Sequence, residues 1–368
     1  MLPVAQTLLL TVLVVGTLFH LYITRSLLPP TPSHSTQQPA PPIPLPLESP
    51  SFPLSKQPFP ISQWIHQSYN QSYALLDHCP PDTPFFSCLE QTKATITADK
   101  NHSSIPWWFR TIVRDSSDRR QGLHGPWHNI RLDDPLATYC AVEKTGCTQW
   151  RKMSCLLNGE RWQGKPCQGK RPQEEGVGKR IVFLRDPLER FLSAYLDKCV
   201  RKLGEKHCQP NEVFFEKSNG LTEGLEGEEN RRAKFEAYVD TVPLKWNLHF
   251  YPASWYCDGL YRTIHDYDFV GTMDQNFYHD LDDLGKQFGK NMTRALEQVF
   301  HIRDRITANV SNSGTETSAP DHVREFYTGR TIRRVLQYVS VDYVKLNLTV
   351  PEWAHEIMRE EDSMIVGR

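Results

Sequence analysis

The run Ile181-Val182-Phe183-Leu184, followed at once by Arg185-Asp186-Pro187-Leu188-Glu189-Arg190-Phe191-Leu192-Ser193-Ala194-Tyr195, most narrows the folds open to this chain. The four apolar residues read as a buried strand. Leu188, Phe191, Leu192, Tyr195, Leu196 and Cys199 then recur at helical spacing, so the strand passes directly into a helix with one apolar face. Pro187 suits the first turn of that helix. Arg185 therefore falls at the C-terminal end of a strand, the place where open α/β sheets bind ligands. The helix start adds exposed N–H groups and a positive dipole end, and Ser193 adds a hydroxyl. An arginine, a helix N-terminus and a serine grouped in this way fit an anion, most simply a phosphate.

A second unit repeats the geometry upstream. Residues 137–142 read as a strand, Glu143-Lys144-Thr145-Gly146-Cys147-Thr148 as a tight loop, and the sequence from Gln149 as a helix ending near Asn158-Gly159. Trp150, Met153, Leu156 and Leu157 share one face of that helix. A loop holding Lys, Gly and Thr between strand and helix can cradle a phosphate through its backbone N–H groups. It is not a Walker A loop, because G-x-x-x-x-G-K-[ST] is absent. Two such units predict an α/β fold whose mostly parallel central sheet is flanked by helices, and a ligand with phosphates at two ends. Further helices are expected over 231–242, 273–288 and 322–339, and surface loops over 159–178 and 218–230.

These motifs resemble those of Golgi carbohydrate sulfotransferases of the chondroitin and dermatan 4-O-sulfotransferase type. The stretch Cys140 to Trp150 is similar to that family's 5′-phosphosulfate loop, and Arg185 to Tyr195 to its 3′-phosphate motif. Asn247-Leu248-His249-Phe250, Cys257 and Tyr267-Asp268-Phe269-Val270-Gly271 follow in the family's order, with a weaker likeness from Tyr338 to Trp353. One departure stands out: Glu143 occupies the place of the proline that usually precedes the lysine. The resemblance implies a P-loop-like sulfotransferase fold and 3′-phosphoadenosine-5′-phosphosulfate (PAPS) as co-substrate. It assigns Lys144, Thr145, Gly146, Cys147 and Thr148 to the 5′ end of that nucleotide, and Arg185 and Ser193 to its 3′-phosphate. Lys144 would stabilise charge on the leaving phosphate, and Arg190 would form a salt bridge or pack at the rim. A base for the acceptor hydroxyl is also needed; His249 is the candidate, with His124, His128 and Glu143 as rivals. The implied acceptor is a glycan or proteoglycan.

Charge agrees with an anionic ligand but not with a nucleic-acid binder. The whole chain carries a net charge of −1, yet residues 144–206 hold 15 Lys/Arg against 7 Asp/Glu. No C-x-x-C pair exists and the histidines are scattered, so no metal site is expected. Cys79 with Cys88, Cys199 with Cys208, and pairings among Cys155, Cys167 and Cys257 are the nearest bridges, while Cys140 and Cys147 are expected as buried thiols.

The N-terminal sequence reads as a short tail over 1–7, a transmembrane signal anchor over 8–24 and a proline-dense stem over 25–60. A domain over 61–368 then follows. That order is the layout of a single-pass type II Golgi membrane protein with a lumenal catalytic domain. Five N-x-[ST] sequons, at Asn70, Asn101, Asn291, Asn309 and Asn347, fit exposure to the secretory lumen. Two other classes share parts of the pattern. A metal-dependent Golgi glycosyltransferase would use Asp266-Tyr267-Asp268 or Asp280-Leu281-Asp282; a non-catalytic binder would keep the fold and the nucleotide without turnover.

Overall fold

A computed structural model describes residues 61–72, 129–158, 178–200, 227–241, 248–257, 259–307 and 319–366. The expected anchor and stem, His124, His128, Asn101, Asn309 and most of the two expected loops lie outside the described residues. Among the described residues no helix is long and apolar enough to cross a membrane.

Among the described residues helix α1 (Ile61–Ser72) comes first, and a hairpin of β1 (Asn129–Asp133) and β2 (Leu136–Cys140) is the next element. Next come α2 (Cys147–Leu157), β3 (Lys179–Leu184) and α3 (Pro187–Tyr195), which a π-helical turn continues over Leu196–Val200. Helix α4 (Gly227–Thr241) precedes two 3-10 turns, Leu248–Phe250 and Ala253–Trp255, and then β4 (Phe269–Thr272). The C-terminal part holds α5 (Phe277–Phe288), α6 (Lys290–Phe300), α7 (Gly329–Lys345) and α8 (Glu352–Val366), with short helical turns between.

The strands form one sheet in the order β1-β2-β3-β4. Among the described residues only the hairpin pair is antiparallel; β2, β3 and β4 run parallel, as the two strand–loop–helix units require. Alternation along β3 shows how the sheet is buried on both sides. Val182 and Leu184 enter a core built with α1, α3, α4, α7 and α8. Ile181 and Phe183 enter a second core with α2, α5 and α6. A central parallel strand with helices on both faces is accordingly apolar throughout, which is why 181–184 carries no polar residue.

Gly271 explains part of the third sequence block. It pairs with Phe183 across β3 and β4, and a Cβ added there would lie 2.4 Å from Phe183 Cε1. Phe183 has little room to yield, since Trp150, Phe277 and Phe269 ring it at centroid distances of 5.4, 5.5 and 5.7 Å. Gly271→Ala is expected to destabilise the fold by about 1–3 kcal/mol through overpacking, read as a lower urea midpoint with an unchanged slope.

Three expected boundaries shift. The helix over 322–339 is broken, because Tyr327 and Thr328 take extended backbone and Thr328 starts α7 with a reciprocal cap to Thr331. The helix expected from 273 begins at Phe277 instead, and 227–230, expected as loop, is the first turn of α4.

Candidate active site

Because β2 and β3 are parallel neighbours, with Cys140 in register with Val182, the segments that follow them leave the same edge of the sheet. The β2–α2 loop is held tightly from within. Lys144 and Gly146 both take left-handed backbone, φ 72° and 81°; glycine does so freely, whereas a lysine does so at a cost of about 1–2 kcal/mol. Thr145 is turned inward: its hydroxyl donates to Val142 O at 2.6 Å, its N–H donates to the same carbonyl, and Tyr139 Oη lies 3.2 Å from both Thr145 oxygens. Thr145 thus shapes the loop, with both its donors engaged inside it. Cys147 is likewise buried, its Sγ donating to Val142 O at 2.9 Å, and burial pushes the thiol well up. No side chain caps α2, so its first N–H groups, on Cys147 and Thr148, are those a helix leaves without an intrahelical acceptor. Thr148 is exposed at that position.

Arg185 stands at the end of β3, 3% exposed. Its Nε and Nη1 are buried and make no hydrogen bond; the carboxylate facing it, Glu189 Oε2, is 3.6 Å away. Burial lowers the pKa of this guanidinium, while Glu189 and Asp186 act in the opposite direction. Leaving charged donors buried without a hydrogen bond is costly, and an anion laid against them would remove that cost. Asp186 caps α3 by accepting from Glu189 N at 2.9 Å and takes a second hydrogen bond from Tyr343 Oη at 2.7 Å. Desolvation pushes its carboxyl up to about 7, which lessens repulsion of an anion beside it. Ser193 is buried on the same helix.

Arg190 is not at a rim: it is 0% exposed and lies beneath the site. It donates through Nη2 to Tyr251 O and through Nη1 to His249 O, the latter at 3.4 Å. Asp342 of α7, also fully buried, lies 3.9 Å from Arg190 Nη2 and accepts from Ala253 N and Ser254 N at 2.7 and 2.8 Å. Together these side chains fasten the 248–255 segment from two helices. A disulfide between Cys140 and Cys257 fastens it to the end of β2. Cys140 is therefore not a free thiol, because the sheet edge brings its Cα within 6.0 Å of Cys257. Cys147 is a free buried thiol, as expected; Cys155 and Cys199 are also disulfide-bonded.

Fastened in this way, His249 faces the β2–α2 loop. Its Nε2 lies 3.7 Å from Glu143 Oε2, and Glu143 Oε1 lies 3.8 Å from Arg151 Nη2. The structure thus groups Lys144, Glu143 and His249 at one end of the site and Arg185 and Ser193 on the adjoining strand and helix. Sequence reasoning missed Asp197 and Lys198 in the π-helical turn. Asp197 accepts a hydrogen bond from Lys144 Nζ and pairs with Lys198 Nζ at 3.0 Å. The available signal was position: Asp197 follows Ser193 by four residues, hence on the same side of the helix.

The acidic pairs considered for a metal are otherwise engaged. Asp268 accepts from Arg180 N at 2.7 Å, Asp280 from Thr272 N at 2.7 Å, and Asp282 pairs with Lys286 at 2.8 Å. Among the described residues no cluster of His, Cys, Asp or Glu could hold a metal ion.

Comparison with known proteins adds a family to this geometry. Residues 127–348, which include both loops, the His249 segment and β4, match the model of the sulfotransferase family. The chain belongs to the sulfotransferase family. Two curated relatives are similar to the chain. Carbohydrate sulfotransferase 9 of Homo sapiens is 25% identical over 242 residues, covering 58% of this chain and 51% of that protein. An uncharacterised protein of Caenorhabditis elegans is 26% identical over 218 residues, covering 56% of this chain and 57% of its own length. The chain thus spans little more than half the length of the curated relatives it matches. No solved structure matches it. For a sulfotransferase-family member, the mixed α/β architecture with a mostly parallel four-stranded sheet is the expected one.

Proposed function

We infer that this sulfotransferase-family chain moves the sulfonate of PAPS to a hydroxyl of a glycan by in-line displacement. The observation that carries the reading is Arg185, whose buried Nε and Nη1 make no hydrogen bond, with Glu189 Oε2 3.6 Å away, and which sits one strand away from the Lys144 loop. Two anion sites at the edge of adjacent parallel strands fit a nucleotide phosphorylated at both ends. The Arg185 guanidinium fits the 3′-phosphate, the group that separates PAPS from adenylyl sulfate.

In this reading the 3′-phosphate rests on Arg185 and Ser193. The 5′-phosphate rests on the N–H groups of Gly146, Cys147 and Thr148 and on the Thr148 hydroxyl, in a loop whose shape Thr145 maintains. Lys144 stabilises the charge that develops on the bridging oxygen as the S–O bond to the leaving phosphate breaks. The acceptor oxygen forms the new bond to sulfur and passes its proton to His249, whose Nε2 lies 3.7 Å from the Glu143 carboxylate. The cationic side chains fill the role that a metal plays in many phosphoryl transfers.

The name of the human relative supports a carbohydrate acceptor. The excess of Lys/Arg over 144–206 supports an acidic one, such as a chondroitin- or dermatan-like chain. An oxidised Cys140–Cys257 pair supports an oxidising compartment. Three sequon asparagines, Asn70, Asn291 and Asn347, are exposed. With the apolar 8–24 segment and the stem, these features favour a single-pass type II protein of the Golgi membrane with a lumenal catalytic domain. The test is incubation of the full chain with sulfonate-labelled PAPS and a panel of desulfated acidic and neutral glycans. Label entering a glycan is the expected result. A folded chain that binds the nucleotide yet labels none of them would be a binder instead.

Arg185→Ala is expected to weaken binding of adenosine 3′,5′-bisphosphate by about 100-fold, the effect of removing a bidentate charged hydrogen-bond donor from a buried site. Binding of AMP should barely change. Equal bisphosphate affinity in wild type and variant, measured by calorimetry, would remove the 3′-phosphate assignment.

A further inference from the structure

In the described structure the lysine assigned to the transfer step is paired with an acid. Lys144 Nζ donates to Asp197 Oδ2, and both side chains are largely buried, 14% and 12% exposed. The same oxygen faces Lys198 Nζ at 3.0 Å, so one carboxylate sits between two ammonium groups. Asp197 belongs to the π-helical turn that extends α3, the helix of Arg185's 3′ site, and wide turns of this kind gather at functional sites. The pairing therefore joins the 5′ loop to the 3′ helix.

We propose that Asp197 is a positioning residue: it holds the Lys144 ammonium charged and in place between turnovers, and it exchanges that ammonium with the 5′ phosphate group of the nucleotide. The proposal rests on the function proposed above. Its logic is competition. A buried ammonium without a counter-ion is unfavourable, so Lys144 takes Asp197 when no anion is present. An arriving phosphate draws Lys144 away, and Lys198 keeps Asp197 neutralised. Return of Lys144 to Asp197 then favours release of the bisphosphate product. By reciprocity, whatever Asp197 contributes to holding Lys144 is subtracted from nucleotide affinity.

Other charges face Lys144 as well. Glu143 raises its proton affinity, Lys198 and burial lower it, the Cys147 thiol lies close by, and Glu143 itself faces His249 and Arg151. Burial is the largest influence on Lys144 and takes its pKa below that of an ordinary lysine, with the Asp197 hydrogen bond opposing it. Asp197, though burial acts to raise it, is held at about 2 by Lys144 and Lys198; it remains a carboxylate at any working pH.

Two readouts follow for Asp197→Asn. Bisphosphate should bind about tenfold more tightly, the equivalent of one charged hydrogen bond no longer competed for. Without the carboxylate Lys144 of the free enzyme loses its proton more readily, so the high-pH fall in kcat/KM should move to lower pH; Asp197→Glu should restore it toward wild type. A general field effect of removing one negative charge is separated by a double-mutant cycle. In a Lys144→Ala background, Asp197→Asn should tighten binding little or not at all. Tightening of equal size in both backgrounds, or none in either, would overturn the proposal. Wild type failing to discriminate the bisphosphate from AMP would instead count against the nucleotide site itself. A thermal melt of each variant confirms that the compared proteins are folded.

Discussion

Lys144→Ala should lower turnover by about 10²–10³-fold, the loss typical of removing one preorganised group that meets developing charge. Its effect on bisphosphate affinity should be much smaller, within about tenfold, because the 3′ site on Arg185 and Ser193 is untouched. The expectation follows from how the chain aims this residue. Lys144 is held in left-handed backbone between a loop locked by Thr145 and Cys147 to Val142 O and a buried carboxylate that keeps its ammonium in place. A lysine on a freely rotating surface loop would need none of these constraints. Lys144→Arg should recover little, since a planar guanidinium cannot replace a compact ammonium at one aimed point. Single-turnover rates with labelled PAPS, compared with binding of the bisphosphate, check the division; a variant that lost binding and kept chemistry would contradict it.

Asp342→Ala should produce the largest loss of stability, about 3–5 kcal/mol, and lower Tm by roughly 10 °C for a domain of this size. Arg190 would remain buried without its acid, and the N–H groups of Ala253 and Ser254 would lose their acceptor. Because the same bonds fasten the segment carrying His249, surviving activity should fall more than nucleotide binding. Asp342→Asn should fall between the two, keeping a carbonyl acceptor while losing the charge. Denaturant unfolding with an unchanged slope would assign the loss to the native interactions. A change below about 1 kcal/mol would mean that the buried pair adds no more than a surface one.

The parts of the fold legible in the sequence were the local ones. Strand 181–184 and its helix could be read because one apolar run and one 3.6-residue period adjoin, and the strand is buried on both faces. The β2–α2 loop could be read because Lys, Gly and Thr fall between a strand and a periodic helix. Long-range pairings could not be read in this way. Cys140 and Cys257 are 117 residues apart and meet only when the sheet edge and the 248–257 segment are assembled. Of the two roles open to Arg190, a salt bridge or a place at the rim, it takes the first, but its full burial depends on Asp342 and on two carbonyls about 60 residues away. Asp197 lies off the apolar face, one turn beyond Ser193, where helical period alone names no partner for it, and its partnership with Lys144 spans 53 residues. The broken 322–339 helix was hidden because Thr328 and Thr331 interrupt the hydrogen bonding but not the apolar period. Glu143, which looked out of place beside an anion site, faces Arg151 Nη2 at 3.8 Å, a pairing that composition alone cannot show.

Calorimetric titration of the full chain with adenosine 3′,5′-bisphosphate, with AMP and UDP as comparisons, tests the central claim most directly. The account predicts saturable binding of the bisphosphate that depends on its 3′-phosphate and is at least about tenfold tighter than AMP, with UDP weaker still. A folded chain that binds all three alike, or prefers UDP with a divalent metal, would contradict the assignment of Arg185 and the Lys144 loop to a sulfonate donor.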